Sequence, residues 1–143
     1  MTQNPNRLTE IFGEPIHTYS RAQAIEDGLL VPASEELARN AGIAVPVALT
    51  AQAWADCVAW NEADNRRKNT FQDETGRLWD VLFMTGRYIR AAARNTDHIE
   101  VKLYRVPRNG RTYAAQFVRL IAQAGPDDSG QMVITIRCAH EDD

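Results

Sequence analysis

Five side chains able to move a proton or hold an anion, His17, Tyr19, Arg21, Glu26 and Asp27, fall within eleven residues. An imidazole that titrates near neutrality, set beside a phenol, a guanidinium and two carboxylates, would line a small pocket for a polar substrate. The plainer reading of the same residues is architectural. Tyr19 and Ile25 staple the start of a helix, and Arg21 pairs with an acid.

The other reactive residue types do not assemble in the sequence. His17, His98 and His140 are far apart, and no His-x-x-x-His or Cys-x-x-Cys spacing is present. The run His140-Glu141-Asp142-Asp143 reads as a disordered acidic tail rather than a metal site. Ser20 lacks the glycine-flanked elbow of a hydrolase nucleophile and fits a helix N-cap. Cys57 lies in an apolar helix with no charged activator beside it in sequence, so it reads as a core thiol. Cys57 and Cys138 are both expected to be buried and free. Glu26-Asp27 and Glu35-Glu36 are adjacent acids at helix ends, where carboxylates are solvated. No phosphate-cradling glycine loop or dinucleotide fingerprint occurs. No catalytic residue, metal or cofactor is assigned.

These residues sit on short elements with strong boundary signals. Ser20 precedes RAQAIEDG, with Gln23 three residues on and Gly28 at the end, which predicts a helix over 21–27. Ser34 opens EELARNAG, closed by Gly42, and Thr50 caps AQAWADCVAW. The stretch 42–49 reads as extended or looped around Pro46. Asn61–Phe71, NEADNRRKNTF, is polar and aperiodic and reads as a mobile surface loop. A long helix then runs from about Asp73 to Arg94, with Leu78, Val81, Leu82, Thr85, Ile89 and Ala92 as its core stripe. From Ile99 the pattern alternates as in a strand, and Asn109-Gly110 signals a hairpin. Thr112–Ala124 is the returning strand, GPDDSG a turn, and Gln131–Cys138 the last strand.

The expected fold is therefore α+β. Short N-terminal helices and one long amphipathic helix pack on a C-terminal three-stranded antiparallel meander. With 143 residues the chain suits a single domain over 11–138, with a flexible N-terminus over 1–10 and an acidic tail over 139–143. The start, MTQNPNR, has no apolar core behind a basic residue, and no run suits a membrane span, so a cytoplasmic protein is expected.

Charge is distributed unevenly. Residues 1–60 carry three basic and seven acidic side chains, residues 61–125 twelve and seven, and residues 126–143 one and five. A basic middle between acidic ends disfavours indiscriminate nucleic-acid binding and leaves room for one anion-binding surface. On the long helix, Trp79, Phe83, Arg87, Arg90 and Arg94 fall opposite the core stripe at 100° per residue. Solvation explains the arginines but not the two aromatic neighbours. That face is expected to be covered by the N-terminal segment, with Arg87 and Arg90 at its rim. Left open, it has the composition of an interface hot spot.

Ile11–Val31 (IFGEPIHTYSRAQAIEDGLLV), Arg77–Met84 (RLWDVLFM) and Val133–Ile136 (VITI) resemble a family of small uncharacterised proteins carried by bacterial plasmids, phages and integrative elements. The resemblance implies a shared fold and a mobile-element setting, and brings no functional residues with it. The expected function is a small non-enzymatic binding protein, an inhibitor of a host defence system such as an anti-CRISPR. Its partner would be a host or element-encoded protein, and its oligomeric state is not specified. The binding residues expected are Trp79, Phe83, Arg87, Arg90, Arg94, His17, Tyr19 and Arg21. One alternative is a nucleic-acid-binding accessory or regulatory protein using Arg87, Arg90, Arg94, Arg105, Arg108 and Arg111. Another is an enzyme acting on a small polar substrate near 17–21.

Overall fold

In a computed structural model the described residues are 20–93 and 95–141. The expected flexible N-terminus, His17, Tyr19, Arg94, Asp142 and Asp143 lie outside them. Three hydroxyls start three short helices by accepting the backbone N–H three residues on. Ser20 accepts from Gln23 at 3.0 Å, Ser34 from Leu37 at 3.2 Å and Thr50 from Ala53 at 3.1 Å. They open α1 (Arg21–Glu26), α2 (Glu35–Asn40) and α3 (Ala51–Cys57).

The segment expected to be a loop is largely helix, α4 (Glu62–Lys68). A reciprocal capping box starts it: the Asn61 side chain accepts from Asp64 N at 3.0 Å, and Asp64 Oδ2 accepts from Asn61 N at 2.9 Å. Its inner face is polar, with Asp64, Asn65 and Lys68 all buried. An apolar stripe is therefore absent from the sequence although the helix is fixed. The long helix is α5 (Glu74–Ala91), capped by Asp73, whose carboxylate accepts from Gly76 N at 2.7 Å. Leu78, Val81, Leu82 and Thr85 are buried as the periodicity predicts, while Ile89 stays 36% exposed.

The sheet corrects the expected three-stranded antiparallel meander. Strands β1 (Leu30–Pro32), β2 (Val47–Thr50), β3 (His98–Arg105), β4 (Gln116–Pro126) and β5 (Met132–Cys138) form one five-stranded mixed sheet in the order β1-β2-β5-β4-β3. β2 runs parallel to β5, and every other neighbouring pair is antiparallel. The two added strands escape pattern reading for physical reasons. β1 is too short to alternate, and β2 is buried at Val47, Ala48 and Leu49, so it shows no polar side.

Helices α2, α3 and α5 cover one face of the sheet, where Leu49, Leu82, Leu120 and Ile136 lose all solvent contact. Each such side chain contributes ~2 kcal/mol relative to an exposed one. Cys57 and Cys138 are buried free thiols in this core, and burial pushes both up to about 12. α1 sits on the opposite face beside β1. Arg21 reaches from it to Thr135 Oγ1 at 2.6 Å and to the Ile134 carbonyl at 3.2 Å. Beyond β5 the chain makes a 3-10 turn (Ala139–Glu141) that is tied down, since Glu141 Oε2 accepts from Thr50 Oγ1 and Cys138 N, both at 2.7 Å.

Nor is the β3–β4 connection the tight hairpin expected at Asn109-Gly110. It spans residues 106–115, and Gly110 keeps a φ of +76°. Helix α4 holds this loop in place of a cross-strand ladder. Lys68 Nζ donates to the carbonyls of Asn109, Gly110 and Thr112, and Arg67 donates to Arg108 O at 2.9 Å. Asp64 completes the clamp by accepting from Arg67 and, at 2.8 Å, from Arg108 Nε. Burial alone would raise the Asp64 carboxyl, but the Asn61 N–H and the two guanidiniums outweigh it and hold it below the usual range.

A carboxyl depressed in the folded state stabilises above its unfolded pKa, ~3.9, and loses that contribution as pH falls through the folded value. Asp64→Asn is therefore expected to melt ~5 °C below the parent at pH 7. The gap should close as the pH falls below about 4. Melting curves across that range check it, and a gap that is constant down to pH 2 would refute the assignment.

Candidate functional site

The outer side of α5 carries the aromatic strip. Trp79 is half-buried against the core, and Phe83 is 38% exposed with its ring 5.7 Å from that of Trp79. The Arg87 guanidinium stands 5.9 Å over the Phe83 ring, extending the stack by one more turn. Just before α5, Phe71 is 94% exposed, the most solvent-facing large apolar side chain among the described residues. Phe71, Arg77, Trp79 and Asp80 line one side of a hollow of about 550 Å³.

A second hollow, about 420 Å³, lies on the other flank between α5 and β3. Asp80, Phe83, Met84, Tyr88, Tyr104 and Phe117 help to line it. Tyr104 and Phe117 face each other across the β3–β4 pair with centroids 5.7 Å apart, and are 69% and 50% exposed. Asp80 borders both hollows, and the partial burial of its carboxyl pushes its pKa up while Arg77 pulls the other way. Apolar rings, one arginine and one acid thus form a continuous exposed belt. Such a belt suits the desolvated centre of a protein contact more than the transfer of a proton.

The other expected residues have different placements. Arg90 donates to the Ala41 carbonyl at 3.2 Å, so it ties α5 to the end of α2. Arg21 is a pin between α1 and β5, with Asp128 accepting from the backbone of Arg21 and Ala22 at 2.8 and 2.9 Å. The structure therefore brings Trp79, Phe83 and Arg87 together and sets Arg21 apart from them. Helix α1 lies beside β1, at the far edge of the sheet from β3, and does not cover the strip; the rest of the N-terminal segment expected to cover it lies outside the described residues. Sequence reading missed Phe71, Tyr88, Tyr104 and Phe117. Tyr104 did carry a signal, since it occupies the polar phase of an alternating strand. Among the described residues no group of three or more His, Cys, Asp or Glu side chains is placed to hold a metal ion. Among them, too, no helix is long and apolar enough to cross a membrane.

The family model that matches spans residues 9–143, nearly the whole chain. The chain belongs to DUF6573, a family of unknown function. No curated protein and no solved structure matches it. The matched span contains the segments 11–31, 77–84 and 133–136, and DUF6573 is, as expected, a family of unknown function. It assigns no role to any residue, so the reading of the belt rests on geometry.

Proposed function

We propose that this DUF6573 protein is a small non-enzymatic binding protein of a mobile genetic element. It works in the cytoplasm by occupying a surface of a host protein, in the manner of an anti-CRISPR or another inhibitor of host defence. The observation that carries the binding role is the strip of exposed Phe71, Phe83 and Arg87 backed by half-buried Trp79. It pairs the residue types that dominate interface energetics with no structural demand that they face solvent. The mobile-element setting rests on the resemblance of 11–31, 77–84 and 133–136 to proteins carried by such elements.

A nucleic-acid partner is less well supported by the arginines of the basic middle. Arg105 is held by the Asp56 carbonyl and carboxylate at 3.1 and 2.9 Å, Arg108 by Asp64, and Arg90 by Ala41. Guanidiniums engaged in this way do not present a continuous track to a phosphate backbone.

Capture from host lysate with the parent and with Phe71→Ala/Phe83→Ala tests the reading. Phe71 is almost fully exposed and Phe83 lies outside the buried core although it packs on Trp79, so the double variant should keep its fold and lose no more than about 1.5 kcal/mol. It should lose the captured protein by tenfold or more in affinity, ~1.4 kcal/mol. Equal capture by both proteins would remove the strip from the interface. Recovery of nucleic acid that is released steeply by salt would favour the other partner class.

A further inference from the structure

Strand β3 ends the sheet, so among the described residues it has a strand neighbour on one side only. The hydrogen bond from Ala124 N to the Asp97 carbonyl, 2.8 Å, sets the phase of the β3–β4 ladder. In an antiparallel ladder, residues bonded to the neighbour alternate with residues whose N–H and C=O point away from it. Ile99, Val101, Leu103 and Arg105 therefore turn their backbone groups to β4. His98, Glu100, Lys102 and Tyr104 turn theirs outward along the edge, where they form a template for another strand.

This edge is complementary to itself about Val101. When two copies of β3 lie antiparallel across a two-fold axis at Val101, each Glu100 meets the other copy's Lys102 and each His98 meets the other copy's Tyr104. Ile99 meets Leu103 on the core side. The residues brought opposite one another are the ones whose backbone groups point outward, so hydrogen-bond phase and charge pairing agree in one register. Sliding either way to the next in-phase register sets Lys102 against Lys102 or Glu100 against Glu100, which is destabilising. Edge strands that avoid pairing use charges to repel, whereas here the charges match only in the symmetric register. Glu100 Oε2 is held within its own sheet by Arg119 Nη1 at 2.8 Å, whereas Lys102 stands 3.9 Å from Glu100 Oε1 with half its side chain exposed, so Lys102 can turn to the remaining Glu100 oxygen of a partner. The apolar hollow between α5 and β3 adjoins the same strand and extends the contact.

We infer that β3 pairs with β3 of a second copy, joining two chains into a two-fold dimer with one continuous sheet. The contact is isologous, as closed symmetry requires. This inference is argued from the β3 edge and its charges and does not rest on the host-binding reading, although the two surfaces meet at the hollow beside Phe83.

Sedimentation equilibrium of the full chain at micromolar concentration tests it, alongside Lys102→Glu and the swap Glu100→Lys/Lys102→Glu. The parent is expected at twice the chain mass of 16.1 kDa. Lys102→Glu sets like charges opposite one another in the register and should weaken the dimer by tenfold or more, with an unchanged melt of the monomer fold. The swap restores opposite charges and should restore the dimer. A monomeric parent, a single variant that stays dimeric, or a swap that stays monomeric each overturns the inference.

Discussion

Arg77→Ala is expected to destabilise the protein by ~4 kcal/mol, a larger effect than truncating any exposed aromatic residue. Arg77 is only 4% exposed, yet it lies on the first turns of an otherwise apolar helix face. Its guanidinium joins three parts of the chain. Nε donates to Val58 O at 3.2 Å, Nη1 donates to Gln72 Oε1 at 2.7 Å, and Nη1 also reaches Val106 O at 3.0 Å. The plane stacks on Trp60 at 4.3 Å, and Trp60 in turn donates from Nε1 to Asn65 Oδ1 at 2.8 Å. Removing the side chain leaves buried carbonyls without donors and opens a void beneath an indole. Each orphaned acceptor costs ~1–3 kcal/mol, so even partial relaxation leaves several. Arg77→Lys should recover little, because one ammonium on a flexible stem cannot reproduce the planar fork or the stack. Equilibrium denaturation measures both variants. A loss below about 1 kcal/mol for Arg77→Ala would show that the three contacts do not hold the structure together.

The contrast between Arg77 and Leu82 explains what was legible in the sequence. Leu82 and its neighbours repeat at helical spacing, and that periodicity alone places them inside. The caps at Ser20, Ser34 and Thr50 were equally legible, because a short side-chain oxygen before a helix has one dominant use. Helix α4 was not, since Asp64, Asn65 and Lys68 are buried by satisfying one another's neighbours and the loop carbonyls. No one-dimensional pattern distinguishes those polar residues from solvated ones. β1 and β2 were hidden for the same kind of reason. Their partners lie 80 or more residues away in β5, or in each other, and a short buried strand shows no alternation.

For the candidate surface, the half that lies on α5 could be read from a helical wheel, and the half that lies on β3 and β4 could not. Phe83 and Arg87 are set by the axis of a single helix. Tyr104 and Phe117 become neighbours only through the β3–β4 register, across a connection whose length the Asn-Gly signal misjudged. The role of Arg90 was likewise out of reach, because its acceptor, the Ala41 carbonyl, arrives by the crossing of two helices.

That crossing yields the second large expected effect. Gly86→Val is expected to cost ~3 kcal/mol, and Gly86→Ala somewhat less. In the interior of a free helix glycine is the worse residue by ~1 kcal/mol, so propensity alone predicts that alanine would stabilise α5. The packing reverses the sign. A Cβ on Gly86 would stand 2.4 Å from the Ala41 carbonyl oxygen and 3.3 Å from Arg90 Nη1. The oxygen belongs to the backbone at the end of α2, where Ala41, 4% exposed, is part of the core. It cannot rotate aside as a side chain would, so α2 and α5 must separate. Separation would also break the bond from Arg90 to Ala41 and expose Ala38 and Leu82 at the seam. Valine adds two further methyl groups and a χ1 restriction within the helix, which is why its effect should exceed that of alanine. Denaturant titration of the two variants gives the ordering parent, Ala, Val. An alanine variant at least as stable as the parent would mean that α2 is free to move away from α5 at little cost.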